Sequence, residues 1–241
     1  MSTLVKVARF HLVQPFQYLA MTWIIVALGL AFSVAVDAMH ASGHPVGAVV
    51  NGSAPDRVRY TGALAGFFVF FLVIGVQSIG RSLPFGLALG VSRRSYYLGT
   101  ALFAAVLACA DGLVVAALQA VERATGGWGV RLGFFRMPYL LNGPWYQTWL
   151  TLFVGLTLLF VYGMWLGIVY RRWSVIGTVA FIAAQAAALV AVVALVTLVH
   201  GWTGVGHFFT GLTISGLTGL LAVLALALIV GGRATIRRAT V

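Results

Sequence analysis

Residues 148–199 read TWLTLFVGLTLLFVYGMWLGIVYRRWSVIGTVAFIAAQAAALVAVVALVTLV. Two apolar runs, 148–170 and 174–199, contain no charged residue and are divided only by Arg171, Arg172 and Trp173. Each run reaches the roughly 20 residues that an α-helix needs to cross a bilayer. A lipid-facing backbone must satisfy its own hydrogen bonds, so both runs are expected to be helices. The divider leaves room only for a tight turn, which makes YRRWSV the tip of a helical hairpin.

The same pattern extends outward in both directions. Of 241 residues, 61% are hydrophobic and 8% charged, against roughly 25% charged in soluble domains. By run length, spans are expected at about 17–36, 61–80, 98–121, 148–170, 174–199 and 208–231. The chain therefore reads as an all-α polytopic membrane protein, a single transmembrane domain over 1–241 with six transmembrane helices. No length remains for a separate soluble domain. Residues 2–16, STLVKVARFHLVQPF, mix Lys6, Arg9 and His11 with Leu4, Val7, Ala8 and Leu12. That mixture predicts an amphipathic helix lying on the membrane surface. Cleavage as a signal peptide is not expected, because the apolar run is long and AVDAMHA is a poor cleavage site.

Net charge is +11. The basic residues flank the spans, so they orient the chain in a membrane, and no nucleic acid is expected as partner. With the N-terminus inside, the inner face carries Lys6, Arg9, Arg81, Arg93, Arg94, Arg171, Arg172, Arg233, Arg237 and Arg238. The outer face carries Arg57, Arg59, Arg123, Arg131 and Arg136. Ten against five places both termini in the cytoplasm. Cys109 is the only cysteine and excludes an internal disulfide. In the long outer loop, Trp128, Phe134, Phe135, Tyr139, Trp145 and Tyr146 are expected at the lipid headgroups. Small residues four apart, Gly62 with Gly66, Gly163 with Gly167 and Ser215 with Gly219, allow close helix approach within or between subunits.

Residues 81–97, RSLPFGLALGVSRRSYY, form the inner loop between the second and third spans. Ser82 is an expected N-cap and Pro84 suits the first turn, where its missing N–H costs nothing. Leu83, Leu87 and Gly90 follow at helical spacing, and Gly90 can end the helix in a left-handed conformation. Ser92 can cap the next helix. The short helix would offer Phe85, Leu89 and Val91 beside Arg93 and Arg94, an apolar patch ringed by charge that suits a docking surface. The competing reading is an interfacial loop whose arginines touch headgroups.

LPFGLALGVSRRSYYLGT, residues 83–100, resembles the cytoplasmic segment between the second and third spans of type-2 ABC transporter permeases, in particular small actinobacterial members with a phrase like ALGVSRR…LGT. The layout of surface helix, six spans and inner termini is also similar. The resemblance implies that helix 83–90 is the coupling helix that docks on the ATPase subunit. Its matching positions are Pro84, Phe85, Leu87, Gly90, Arg93 and Arg94. It further implies an ABC ATPase dimer as partner, a second permease copy, identical or homologous, and a bacterial cell membrane as location. ATP and Mg would belong to the partner. A P-loop needs G-x-x-x-x-G-K-[ST], and the only lysine here is Lys6, in TLVKVA. No cofactor is therefore expected on this chain.

Asp111 falls near the middle of the third span, where a carboxylate is expensive and by default functional. It is the candidate for the translocation pathway, as a proton carrier or a contact for a cationic substrate; a structural hydrogen bond is the other reading. His40 and His44 are four apart, and with His200 or His207 they make a weak candidate metal or heme site. Gly43 and Pro45 work against a helix there, and solvated loop histidines explain the same pattern. GLTISG is a partial match to a serine-protease motif, but no histidine follows Ser215, and four acids in all leave little for catalysis. The expected function is a permease subunit exporting a hydrophobic or amphipathic cargo such as a drug, peptide antibiotic or lipid. The alternatives are a stand-alone proton-coupled transporter using Asp111, and a membrane sensor or anchor with an outer histidine site.

Overall fold

The computed structural model describes residues 20–41, 59–60, 64–128, 132–135 and 143–235. In chain order these form α1 (Met21–Ala41), β1 (Arg59–Tyr60), α2 (Ala65–Gly80), α3 (Ser82–Ala88), α4 (Arg93–Ala124), β2 (Leu132–Gly133), α5 (Trp145–Leu198), α6 (Trp202–Gly211) and α7 (Ile214–Thr235). The protein is an all-α membrane protein: among the described residues four helical stretches, Ala65–Ala88 (α2 running on into α3), Arg93–Ala124, Trp145–Leu198 and Ile214–Arg233, are long and apolar enough to cross a bilayer. The non-helical pairing is one short parallel bridge, Arg59 with Leu132 and Tyr60 with Gly133. The expected surface helix 2–16 and the outer residues 42–58 lie outside the described residues.

The helical hairpin expected at YRRWSV is present. α5 runs for 54 residues, but Ser174 has φ 56° and ψ −159° and divides it into two arms. The Tyr162 hydroxyl reaches Gln185 Oε1 at 2.5 Å. Twenty-three residues of straight helix would hold them about 34 Å apart, so the chain doubles back at Ser174. Arg172 caps the tip, its guanidinium 4.9 Å above the Trp173 ring.

The bundle is built on the first arm of α5, residues 145–173. A Cβ on Gly75 of α2 would stand 2.1 Å from the Phe160 carbonyl oxygen, and one on Gly163 would stand 2.2 Å from that of Leu72. Gly167 is similarly tight against Val76 and Ile79. The pair Gly163 and Gly167 thus serves packing within one subunit. Gly66 and Gly219 meet nothing so close, and Gly62 is outside the described residues. Contacts 75 with 163 and 79 with 167 make α2 parallel to this arm. Phe103 against Phe160 and Gln119 against Thr148 make α4 antiparallel to it. α7 lies parallel on a further side, through Gln147 to Ser215 (3.2 Å), Thr151 to Thr218 (2.8 Å) and Trp165 Nε1 to the Leu228 carbonyl (2.8 Å). Phe67, Phe71, Tyr96, Tyr97, Phe103 and Phe160 fill the core.

Several boundaries differ from expectation. The third span starts at Arg93 and ends at Ala124, because the Ser92 hydroxyl caps it by accepting the Ser95 N–H at 3.2 Å. The last helix starts at Ile214 and not near 208; Thr213 caps it by accepting the Gly216 N–H, and residues 202–211 form a separate helix. α1 carries an apolar stretch over Met21–Val36. Its start sits beside the start of α2, with Trp23 6.5 Å from Phe67 and Ile25 against Gly66. The second arm of α5 is exposed almost throughout, as a helix facing lipid can be.

The glycine seam gives a direct test. Gly75→Ala should destabilise the purified protein by about 1–3 kcal/mol, the cost of forcing a methyl into a filled core. Gly219→Ala, in open space, should leave the melting temperature in detergent unchanged.

Candidate functional site: an arginine-edged elbow and two buried acids

The loop between α2 and α4 is short and rigidly mounted. Gly90 has φ +80°. Its N–H donates to the Leu87 carbonyl and the Val91 N–H donates to that of Gly86, a Schellman ending that closes α3. The Tyr96 hydroxyl donates to the Ser78 carbonyl at 2.8 Å, and the Tyr96 ring lies so close to Gly86 that a Cβ there would stand 2.6 Å away. Leu83 is buried, and Leu87 and Val91 pack on the core. Phe85 and Leu89 are 57% and 64% exposed, and Arg94 is exposed beside a half-buried Arg93.

Three details correct the expectation. Ser82 makes no side-chain cap, since Arg81 continues the helical backbone from α2. The helix is 82–88, so Gly90 follows it as the left-handed residue. Val91 turns inward as the apolar partner of the Schellman ending. Pro84 holds the first turn.

Tyr96 with Ser78, Gly167 with Ile79 and the Tyr97 hydroxyl with the Leu228 carbonyl bring the same ends of four helices together. Arg81, Arg93, Arg94, Arg171, Arg172 and Arg233 therefore share one end of the bundle. Arg123 stands at the other, beside Glu122.

Glu122 is fully buried at that opposite end. Its Oε2 accepts from the Phe134 N–H (2.9 Å), the Phe135 N–H (2.9 Å) and the Trp128 indole (3.0 Å). Gln119 Nε2 donates to the Phe135 carbonyl at 3.2 Å, and the Thr148 hydroxyl donates to Gln119 Oε1 at 3.0 Å. Phe134 and Phe135 are consequently buried, and Trp128 packs on them, instead of lying at the headgroups as expected. Trp145 and Tyr146 do stay exposed, and Tyr139 is outside the described residues. Sequence pattern alone did not single out Glu122. The available signal was an acid closing an apolar run before Gly126 and Gly127, whose positive φ values, with that of Trp128, turn the chain back over it.

Asp111 is 2% exposed. The Trp23 side chain of α1 hydrogen-bonds its carboxyl, and Oδ2 has no hydrogen-bond partner among the described residues. Its neighbour Gly112 lets α4 approach Leu152 and Phe153 closely, and the Trp149 indole donates to the Cys109 carbonyl at 3.2 Å.

His44 is outside the described residues; His200 sits at the turn after α5 and His207 lies in α6. Among the described residues no three His, Cys, Asp or Glu side chains come together as a metal site. No family model, curated protein or solved structure matches the chain.

The Glu122 contacts predict that Glu122→Ala exposes the Phe134 and Phe135 amides. Each charge-assisted bond is worth about 1.5–3 kcal/mol. Hydrogen exchange at these two amides should accelerate by at least tenfold in the variant, while amides in the core of α2 keep their rates.

Proposed function

We propose that the chain is the permease subunit of an ATP-driven ABC exporter in the bacterial cytoplasmic membrane. In this reading α2, α4, the two arms of α5 and α7 cross the membrane, and the expected first span does not follow the six-span layout, because α1 starts beside the start of α2 and not beside its end. The arginine-rich end of the bundle faces the cytoplasm. A separate ATPase subunit binds ATP and Mg, because Lys6 is the only lysine and lies in no P-loop. A second permease copy completes the pathway. The cargo is hydrophobic or amphipathic.

The observation that carries the reading is the α3 elbow. Phe85 and Leu89 project from the arginine-rich end beside Arg94. Apolar anchors inside a charged rim suit a protein partner. Leu83, Tyr96 and the Schellman ending tie the elbow to both α2 and α4. Force applied at Phe85 and Leu89 therefore reaches two membrane helices at once, which is what coupling to an ATPase requires.

The test is affinity purification of the tagged chain from its native membrane in mild detergent. An ABC ATPase should co-purify with the wild type and be lost with Phe85→Asp/Leu89→Asp, at unchanged yield of the permease. Absence of any ATPase in several detergents, with the chain itself intact, would sink the proposal.

A further inference from the structure

Asp111 presents a carboxylate with one unanswered oxygen in a place where that is costly. It is 2% exposed, and Oδ2 lacks a hydrogen-bond partner among the described residues. A buried polar atom without a partner costs on the order of 1–3 kcal/mol, and more when charged, so such an atom calls for an explanation. The acid has no cationic neighbour along its own helix. Arg94 is 17 residues away and Arg123 is 12, which puts them about 25 Å and 18 Å along the axis.

The side chain that α1 brings to Asp111 is aromatic. Trp23, its hydrogen-bond partner, stands 6.5 Å from the Phe67 ring. Phe67 in turn meets Phe68 at 5.7 Å and Phe71 at 5.3 Å, both edge-on. Trp23 is only partly buried.

These features discriminate among ligands. An anion is repelled. A hard metal ion needs six or more oxygen ligands, and Asp111 is in no group of three His, Cys, Asp or Glu among the described residues. A neutral hydrogen-bond donor would answer the oxygen but draw nothing from the rings. An organic cation uses both: its charge meets the carboxylate, and its apolar body meets the Trp23 indole.

We infer that Asp111, with Trp23, forms a binding site for a hydrophobic organic cation, entered from the side of α1 as the Trp23 indole yields its place on the carboxylate. This inference rests on the export reading and names its cargo class.

The test measures binding to the purified full chain in lipid nanodiscs, with no ATPase present, using radiolabelled tetraphenylphosphonium as probe. Tetraphenylborate, of equal size and opposite charge, is the control. Saturable binding of the cation and none of the anion is expected. Asp111→Asn should weaken it at least about tenfold, the scale of one lost charge-assisted contact, while Asp111→Glu should stay within a few-fold of wild type. Trp23→Leu keeps the carboxylate and removes the aromatic wall; it should also weaken binding, and it carries the test if Asp111→Asn fails to fold. Equal uptake of both ions, no saturable cation binding, or full binding in the folded Asp111→Asn protein would each overturn the inference. Because no partner subunit takes part, failure here leaves the ATPase co-purification result standing, and failure there leaves this one.

Discussion

The backbone contact between α2 and the first arm of α5 is the constraint on which the rest of the structure depends. Gly75 and Gly163 let two apolar helices meet carbonyl to Cα. In lipid there is no hydrophobic reward for bringing such helices together, so van der Waals contact has to do it, and that contact grows as the axes approach. The seam makes the first arm of α5 a central post. α4 packs antiparallel on it and α7 packs parallel. The elbow at α3 inherits its position from the same seam, because α2 leads directly into it.

Polar side chains complete what close packing begins. Tyr97 and Trp165 both donate to the Leu228 carbonyl, and Thr151 bonds Thr218. At the end away from the arginines, Glu122 collects two backbone N–H groups and an indole. A carboxylate removed from water persists when such donors replace its hydration. Asp111 has Trp23 on its carboxyl and nothing on Oδ2 among the described residues. The two buried acids of α4 therefore differ: Glu122 holds a loop, while Asp111 keeps one oxygen without a hydrogen-bond partner among the described residues.

The elbow and the exposed arm of α5 illustrate how surface exposure has to be read against solvent. Val175–Leu198 is an apolar helix outside the bundle, and lipid suffices to cover it. Phe85 and Leu89 belong to a short helix at the arginine-rich end, where lipid tails do not cover them, and the proposed docking rests on that exposure.

Composition and run length alone determined the fold class, since the bilayer demands long uninterrupted apolar helices and the sequence has little else. Local chemistry also determined the hairpin tip at YRRWSV, the Ser92 cap and the left-handed Gly90, each fixed by residues within a few positions. The described arginines predicted for the inner face, Arg81, Arg93, Arg94, Arg171, Arg172 and Arg233, gather at one end of the bundle. Other features depended on partners distant in the chain. Ser82 lost its cap because Arg81 stayed helical. Phe134 and Phe135 turned into the protein because Glu122, 12 and 13 residues away, took their amides. The sequence singled out Asp111 by its cost in a span, but only the tertiary structure decided its surroundings, through a tryptophan 88 residues earlier on a separate helix. Patterns of hydropathy record which groups must leave water. Which groups then meet is settled by helix packing, where a glycine's missing methyl group sets the distance.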